Sequence, residues 1–439
     1  MAEDSVKIAV IGCGYLGAVH AACMASLGHD VIGIDVDANK IARLQAGEAP
    51  FFEPQLNELL VEGQSASSLS FAHSSTHASE ADVIFICVGT PQREGDYAAN
   101  LDYLDAAFRS AAAVAKEGAL LVGKSTVPVG TAERLRREIA LTRPDLTVMW
   151  NPEFLREGHA VSDTLGPDRL VYGVANGDDE AVERLDAVYA RLLSEGTPRL
   201  IVNLPTAELV KTAANSFLAT KISFINAMAE LCEASGADVT LLADAIGRDE
   251  RIGRRFLNAG IGFGGGCLPK DIRAFSARAG EIGADEALTF LREIDLINLR
   301  RRNRAVEAIA AMCGGSLLGK RIGVLGASFK PESDDVRDSP ALSIAQQLQL
   351  QGASVRVYDP EAMENASRRF PELRYVADWQ SAVAGADVVA VLTEWTQFTE
   401  LSPEALSTHV RSQALFDGRN AFDPATFREA GWVYRGVGR

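Results

Sequence analysis

One segment constrains this chain more than any other. Lys7-Ile8-Ala9-Val10-Ile11 is a short apolar run, and Gly12-Cys13-Gly14-Tyr15-Leu16-Gly17 follows it directly, opening alanine-rich sequence of helical spacing. No Asp, Glu, Lys or Arg occurs over residues 8–29, so strand, turn and helix are all expected to be buried. A signal peptide is a poor reading, because Glu3 and Asp4 stand beside Lys7 where a basic region is needed, and glycines and His20 break the run. A second apolar run over residues 29–35 ends in Asp35, 18 residues after Gly17. A GxGxxG that leaves a strand, opens a helix and is answered by an acidic residue closing the next strand is a dinucleotide fingerprint. Gly12 makes the turn, Gly14 lets backbone approach a pyrophosphate at the helix N-terminus, and Gly17 allows close helix–strand packing. Asp35 would accept the adenosine ribose hydroxyls and repel a 2′-phosphate, so NAD is expected over NADP. The alternatives are an FAD site and a glycine turn that has lost its ligand.

Residues 81–88, 118–122 and 147–150 continue the series of apolar runs, with helical sequence between most of them. Continuous Val/Ile runs are strands buried on both faces, and their alternation with helices implies a parallel sheet with right-handed crossovers. The same pattern returns near the C-terminus. Residues 320–326 echo 7–12, residues 353–359 echo 29–35, and residues 386–393 echo 81–88. Residues 206–313 hold no convincing strand, while 207–233 and 288–312 carry apolar residues at helical spacing. The expected fold is α/β: two Rossmann-like doubly wound domains joined by a helical connector with a long central helix. The expected layout is an NAD-binding domain over 1–205, a helical connector and dimerisation domain over 206–313, and the second Rossmann-like domain over 314–439.

Lys and Arg number 43 against 59 Asp and Glu, a formal net charge of −16. Bulk charge of this sign disfavours nucleic acid and anionic membrane as partners, although a local pocket can still hold a small anion. No apolar stretch reaches a membrane-spanning length, and a cytoplasmic protein is expected. Cysteines at 13, 23, 87, 232, 267 and 313 include no CxxC pair, so no metal site is expected. Thiols this dispersed read as reduced, and most as small buried hydrophobes.

Val88-Gly89-Thr90-Pro91 and Ser125-Thr126-Val127-Pro128-Val129-Gly130-Thr131 each follow a strand, and ligands of open α/β sheets lie off the carboxyl ends of strands. Both loops are therefore expected at one cleft. Asn151-Pro152-Glu153-Phe154-Leu155-Arg156-Glu157-Gly158 follows the fifth strand. Lys211 and Asn215 share one helix face at i, i+4. Residues 260–266 include five glycines and precede Cys267, with Asp271 four residues on. Such a loop can aim successive N–H groups at an anion and leave the thiol exposed. Plainer readings are ordinary turns, a core cysteine, a helix-start carboxylate at Glu153 and a solvated Lys211.

Taken together and in this order, GxGYLG at 12–17, VGTP at 88–91, STVPVGT at 125–131, NPEFLREG at 151–158, Lys211 with Asn215, GFGGGCLPKD at 262–271, and the segments 329–331 and 333–340 resemble the nucleotide-sugar 6-dehydrogenase family. The resemblance spans nearly the whole chain and is strongest to the branch that acts on UDP-glucose. Gly89 stands where the family often has proline, and Gly266 where it often has serine.

The resemblance implies oxidation of the sugar C6 alcohol to a carboxylate with two NAD⁺. Asp271 would hold a water that takes the hydroxyl proton, Lys211 and Asn215 would stabilise the oxyanion, and Cys267 would attack the aldehyde. Glu153, with a water near Thr126, would act as base in thioester hydrolysis. It further implies cofactor contacts by Gly12, Gly14, Tyr15, Leu16, Gly17, Asp35, Lys40, Thr90, Thr126, Glu157 and Arg337. Nucleotide-sugar contacts fall to Glu153, Phe154, Leu155, Arg156, Lys211, Asn215, Asn258 and Gly264, and to Lys330 and Arg419 of the C-terminal Rossmann-like domain, which the resemblance makes the nucleotide-sugar-binding domain. Arg251 resembles an arginine that reaches the diphosphate from a neighbouring subunit, so a homodimer is expected. The rival readings are the same chemistry on GDP-mannose or a UDP-N-acetylhexosamine, a two-electron dehydrogenase of the hydroxyacid or 6-phosphogluconate type, and a non-catalytic NAD sensor.

Overall fold

A computed structural model describes residues 5–175 and 177–439. The chain divides into two compact units, one reaching to Ala214 and the other starting at Asn215. Each is built on its own sheet.

In the first unit the strands are β1 (Lys7–Ile11), β2 (Asp30–Ile34), β3 (Leu69–Ala72), β4 (Val83–Ile86), β5 (Leu120–Gly123), β6 (Thr147–Trp150), β7 (Leu170–Val174) and β8 (Arg199–Asn203). Their order is β3-β2-β1-β4-β5-β6-β7-β8. Strands are added outward from β1 to β3 on one side and from β4 to β8 on the other, so the order switches between β1 and β4, and ligands of such sheets bind at the carboxyl ends of the strands flanking that point. The five apolar runs read from sequence are β1, β2, β4, β5 and β6. The purely parallel sheet expected from them is not what forms, because β7 meets β6 antiparallel through Trp150 and Gly173, and β8 runs parallel to β7. Side chains of β1 alternate between two cores: Ile8 and Val10 pack on one face with Val19 and Met24, Ala9 and Ile11 on the other with Phe108 and Trp150. Burying a Val or Ile fully is worth roughly 1.5–3 kcal/mol, so a strand apolar on both faces belongs at the centre of the sheet.

The second unit carries β9 (Arg321–Leu325), β10 (Ser354–Tyr358), β11 (Arg374–Tyr375), β12 (Val388–Val391), β13 (Ala414–Asp417) and β14 (Val433–Gly436), in the order β11-β10-β9-β12-β13-β14 and all parallel. The three echoes read from sequence are β9, β10 and β12. From Leu204 to Lys320 the described residues contain no strand; the long helices Leu204–Ser235 and Thr289–Met312 lie there. Ile225, Ala229, Ala305 and Ile309 of these helices join Val324, Val355 and Val388 in one core.

Candidate active site

The fingerprint turn is assembled around Asp35. Gly12 has φ +94°, open to glycine, and its N–H donates to the Ile34 carbonyl at 2.7 Å. Asp35 Oδ2 accepts from the Cys13 amide at 2.9 Å and pairs with Lys40 Nζ at 2.7 Å, while Oδ1 accepts from the Asp37 amide at 3.0 Å. A Cβ on Gly17 would lie 1.8 Å from the Gly12 carbonyl oxygen, so packing alone demands glycine there. Gly14 differs: a Cβ on it would meet no atom within 4 Å. That open space, beside the first turn of the helix Tyr15–Ser26 with no side-chain cap at Gly14, suits the pyrophosphate of a dinucleotide. Leu16 packs against the core.

Tyr15 binds through a residue the sequence reading missed. Its hydroxyl donates to Glu53, and the Gly158 amide donates to Glu53 Oε2 at 2.7 Å and to the Tyr15 oxygen at 2.9 Å. Ala160 N–H donates to Glu53 Oε1 at 2.7 Å. Burial and the Glu53 bond push the Tyr15 hydroxyl's pKa up, so it stays a donor. Buried Glu53 thus fastens the loop containing buried Glu157 to the fingerprint helix.

The 88–91 and 125–131 loops come together as expected. Thr90 Oγ1 donates to the Thr126 carbonyl at 2.7 Å, and Ser125 Oγ to the Val88 carbonyl at 2.6 Å. Glu208, buried on the helix Leu204–Ser235, accepts from the Gly130 and Ala132 amides at 2.7 and 2.6 Å and so caps the next helix. Glu153 Oε1 accepts from the Phe154 and Leu155 amides at 2.6 and 2.8 Å, and its Oε2 lies 3.3 Å from Lys124 Nζ. Lys211 Nζ stands 5.5 Å from the Phe154 ring centre, with the Arg169 guanidinium 3.9 Å from it. Arg156 is held by Asp163 at 2.7 Å.

In the second unit Cys267 is exposed, whereas the other five cysteines are buried. Burial pushes the Cys87 thiol up to about 12 and raises Cys13 and Cys23 as well, so those thiols stay protonated. Cys267 occupies the N-cap of the helix Leu268–Glu281, where the macrodipole favours a thiolate. Asp271, 2% exposed in the first turn, accepts from Asn215 Nδ2 at 2.7 Å. Lys270 Nζ pairs with its other oxygen at 2.8 Å.

The glycine loop before Cys267 departs from the expected anion nest. The amides of Gly260, Ile261, Phe263, Gly265 and Gly266 donate to Asn226, Gly418, Asn298, Arg337 and Asp335. These glycines instead permit close packing: a Cβ on Gly264 would lie 2.4 Å from the Asp338 carbonyl oxygen, and one on Gly266 would lie 2.1 Å from Arg337 Cζ. Gly266, where relatives often have serine, makes room for the Arg337 guanidinium, itself held by Asp335 at 2.7 Å. Buried Asn298 clamps the loop through the Phe263 amide and carbonyl, another partner invisible in the motif. Arg419 donates to the carbonyls of Leu392, Gly262 and Phe329, tying three loops together. Lys330 lies 5.3 Å from the Phe329 ring centre, Gly264 is buried, and exposed Asn258 accepts from Arg254 at 2.7 Å.

Fold, fingerprint and the carboxylate closing β2 define an NAD-binding protein of the dehydrogenase class. Residues 6–193 match the NAD binding domain of the UDP-glucose/GDP-mannose dehydrogenase family, residues 205–300 its central domain and residues 323–424 its UDP binding domain. The chain belongs to this family. It is 42% identical over 437 residues to a UDP-glucose 6-dehydrogenase of Rhizobium meliloti, covering 99% of this chain and 100% of the relative. A solved UDP-glucose dehydrogenase from Pyrobaculum islandicum superimposes with a TM-score of 0.89 at 38% identity, over 99% of this chain and 98% of that one. A UDP-D-ManNAc dehydrogenase from Pyrococcus horikoshii gives 0.86 at 27% identity, over 99% of both. Among the described residues no helix is long and apolar enough to cross a membrane.

Proposed function

We propose that the chain oxidises C6 of UDP-glucose to the carboxylate, yielding UDP-glucuronate and two NADH per sugar. The observation that carries this reading is the exposed Cys267 at a helix N-cap in a chain similar end to end to UDP-glucose 6-dehydrogenases. A two-electron dehydrogenase or an NAD sensor has no use for that nucleophile.

The residues that would hold NAD are the fingerprint turn, Asp35 and Lys40, with Thr90, Thr126, Glu157 and Arg337; bound there, NAD would accept one hydride in each oxidation. Asp271 holds a water that takes the C6 hydroxyl proton. Lys211 and Asn215 donate to the oxygen as negative charge develops. The Cys267 thiolate adds to the aldehyde carbon, which keeps the aldehyde bound and yields a thiohemiacetal that the second oxidation turns into a thioester. Glu153 then takes a proton from a water near Thr126, and hydrolysis frees the thiolate and the uronate. Phe154, Leu155, Arg156, Asn258, Gly264, Lys330 and Arg419 line the nucleotide sugar. The reading places the protein in the cytoplasm, where dispersed thiols stay reduced.

The test is NADH formed per sugar, with limiting UDP-glucose and excess NAD⁺. Two NADH with UDP-glucuronate as product is the expected result. No NADH from UDP-glucose, with turnover of GDP-mannose or a UDP-N-acetylhexosamine instead, would move the same chemistry to another sugar.

The proposal extends to a homodimer in which Arg251 serves the neighbouring copy. In support, Phe217, Phe224 and Leu231 recur every seven residues on the helix Leu204–Ser235 and are 65%, 47% and 60% exposed, a row suited to burial against a second copy. The Arg251 side chain is 88% exposed and rests on Asp249. Mixing Arg251→Ala with Cys267→Ser subunits under exchange is expected to restore about a quarter of the sites, those in mixed dimers that pair an intact thiol with an intact arginine. No recovery, or a monomer by sedimentation, would remove the cross-subunit role.

A further inference from the structure

We infer that Lys124 is a positioning residue for the reaction, its buried ammonium fixing the Glu153 carboxylate for thioester hydrolysis. The inference rests on the function proposed above. Lys124 directly follows β5, and its side chain is 4% exposed. An ammonium withdrawn from water must be paired or give up its proton. Burial works against the charge here, but the Tyr189 hydroxyl and the Glu153 carboxylate more than offset it, and the lysine's pKa lies above its ordinary value. Nearby His20, fully buried, is held neutral by burial first and by the Lys124 charge second.

The ammonium has little freedom. It donates to Asn151 Oδ1 at 3.0 Å and to the Tyr189 hydroxyl at 3.3 Å, and sits 5.8 and 5.9 Å from the Phe85 and Tyr189 ring centres. Tyr189 donates in turn to Asn151 at 2.8 Å, and Asn151 to the Val171 carbonyl at 2.9 Å. Glu153 Oε2 lies 3.3 Å from this fixed charge, while Oε1 is tied to the Phe154 and Leu155 amides. Both ends of the carboxylate therefore have partners in place, the two loop amides at Oε1 and the buried ammonium at Oε2. In hydrolysis a water oxygen adds to the thioester carbon and its proton passes to Glu153. The C–S bond breaks, giving the Cys267 thiolate and the sugar carboxylic acid, which ionises. A base displaced by about 1 Å loses roughly 100-fold in such a step.

The test follows the acyl-enzyme on Cys267 by intact mass after quenching, in parallel with the NADH burst, using the full chain with UDP-glucose and NAD⁺. Lys124→Met is expected to release two NADH per site rapidly and then to lose the acyl mass about 100-fold more slowly than the parent. Glu153→Gln should accumulate the same species, and Lys124→Met added to it should slow decay no further, as for residues acting as one unit. Acyl decay at the parent rate, or additive losses in the double variant, would overturn the inference. Should Lys124→Met lose NAD binding through misfolding, Tyr189→Phe replaces it. This variant keeps the ring and removes one lysine partner, and decay slowed about threefold is expected where an unchanged rate would refute. A parent protein that makes no NADH from UDP-glucose would instead refute the function proposed above.

Discussion

Replacing Cys267 by serine is expected to stop conversion of UDP-glucose to the uronate while NAD still binds. Addition to an aldehyde uses the thiolate, a strong nucleophile, and the place of Cys267 at the N-cap of the helix Leu268–Glu281 sets its sulfur where a helix end favours negative charge. A serine hydroxyl at the same N-cap is far less acidic, so the covalent intermediate forms slowly. Turnover should fall roughly 1,000-fold or more, the scale of losing a covalent nucleophile. The groups around the fingerprint turn, Asp35 and Lys40 among them, are untouched by the change. Fluorescence titration should therefore give the parent's affinity for NAD. The decisive measurement is NADH per sugar with product analysis by mass spectrometry. Full turnover to uronate at the parent rate would remove Cys267 from the chemistry.

What could be read in advance was whatever lies contiguous in the chain. The strands at the centres of the sheets, β1, β4, β9 and β12, are apolar on both faces and announce themselves. Strands β3, β7, β8, β11, β13 and β14 escaped. β8 is an edge strand whose Leu200 and Ile201 remain exposed, and β11 has only two residues, so neither carries the pattern of burial. Site motifs were legible for the same reason, since GxGYLG and GFGGGCLPKD are unbroken strings. Their partners were not. Glu53, Glu208 and Asn298 lie far along the chain from the loops they clamp, and only folding brings them there. The glycines around Cys267 were misjudged because a glycine count does not distinguish amides aimed at a ligand from backbone pressed against another loop. Lys124 did leave a signal: a charge placed directly after the buried run Leu120-Leu121-Val122-Gly123 needs a partner.

Asp35→Ala should weaken NAD binding by about 100-fold, which corresponds to loss of two charge-assisted hydrogen bonds of about 1.5 kcal/mol each. Two effects combine. The ribose hydroxyls lose their acceptor, and the Cys13 amide, which donates to Asp35 Oδ2 at 2.9 Å, loses the group that holds the fingerprint turn in shape. Lys40, 2.7 Å from the same oxygen, is left without its counter-charge beside the site. That unpaired cation should attract a 2′-phosphate, so discrimination between NAD and NADP should narrow as well as affinity fall. Asp35→Asn separates the two effects, because an amide oxygen can still accept from Cys13 but cannot neutralise Lys40. It should retain more of the NAD affinity than alanine while losing much of the preference over NADP. Calorimetric titration with both cofactors reads the two quantities together. Unchanged NAD affinity in the alanine variant would mean that the ribose is held elsewhere and that Asp35 serves only the turn.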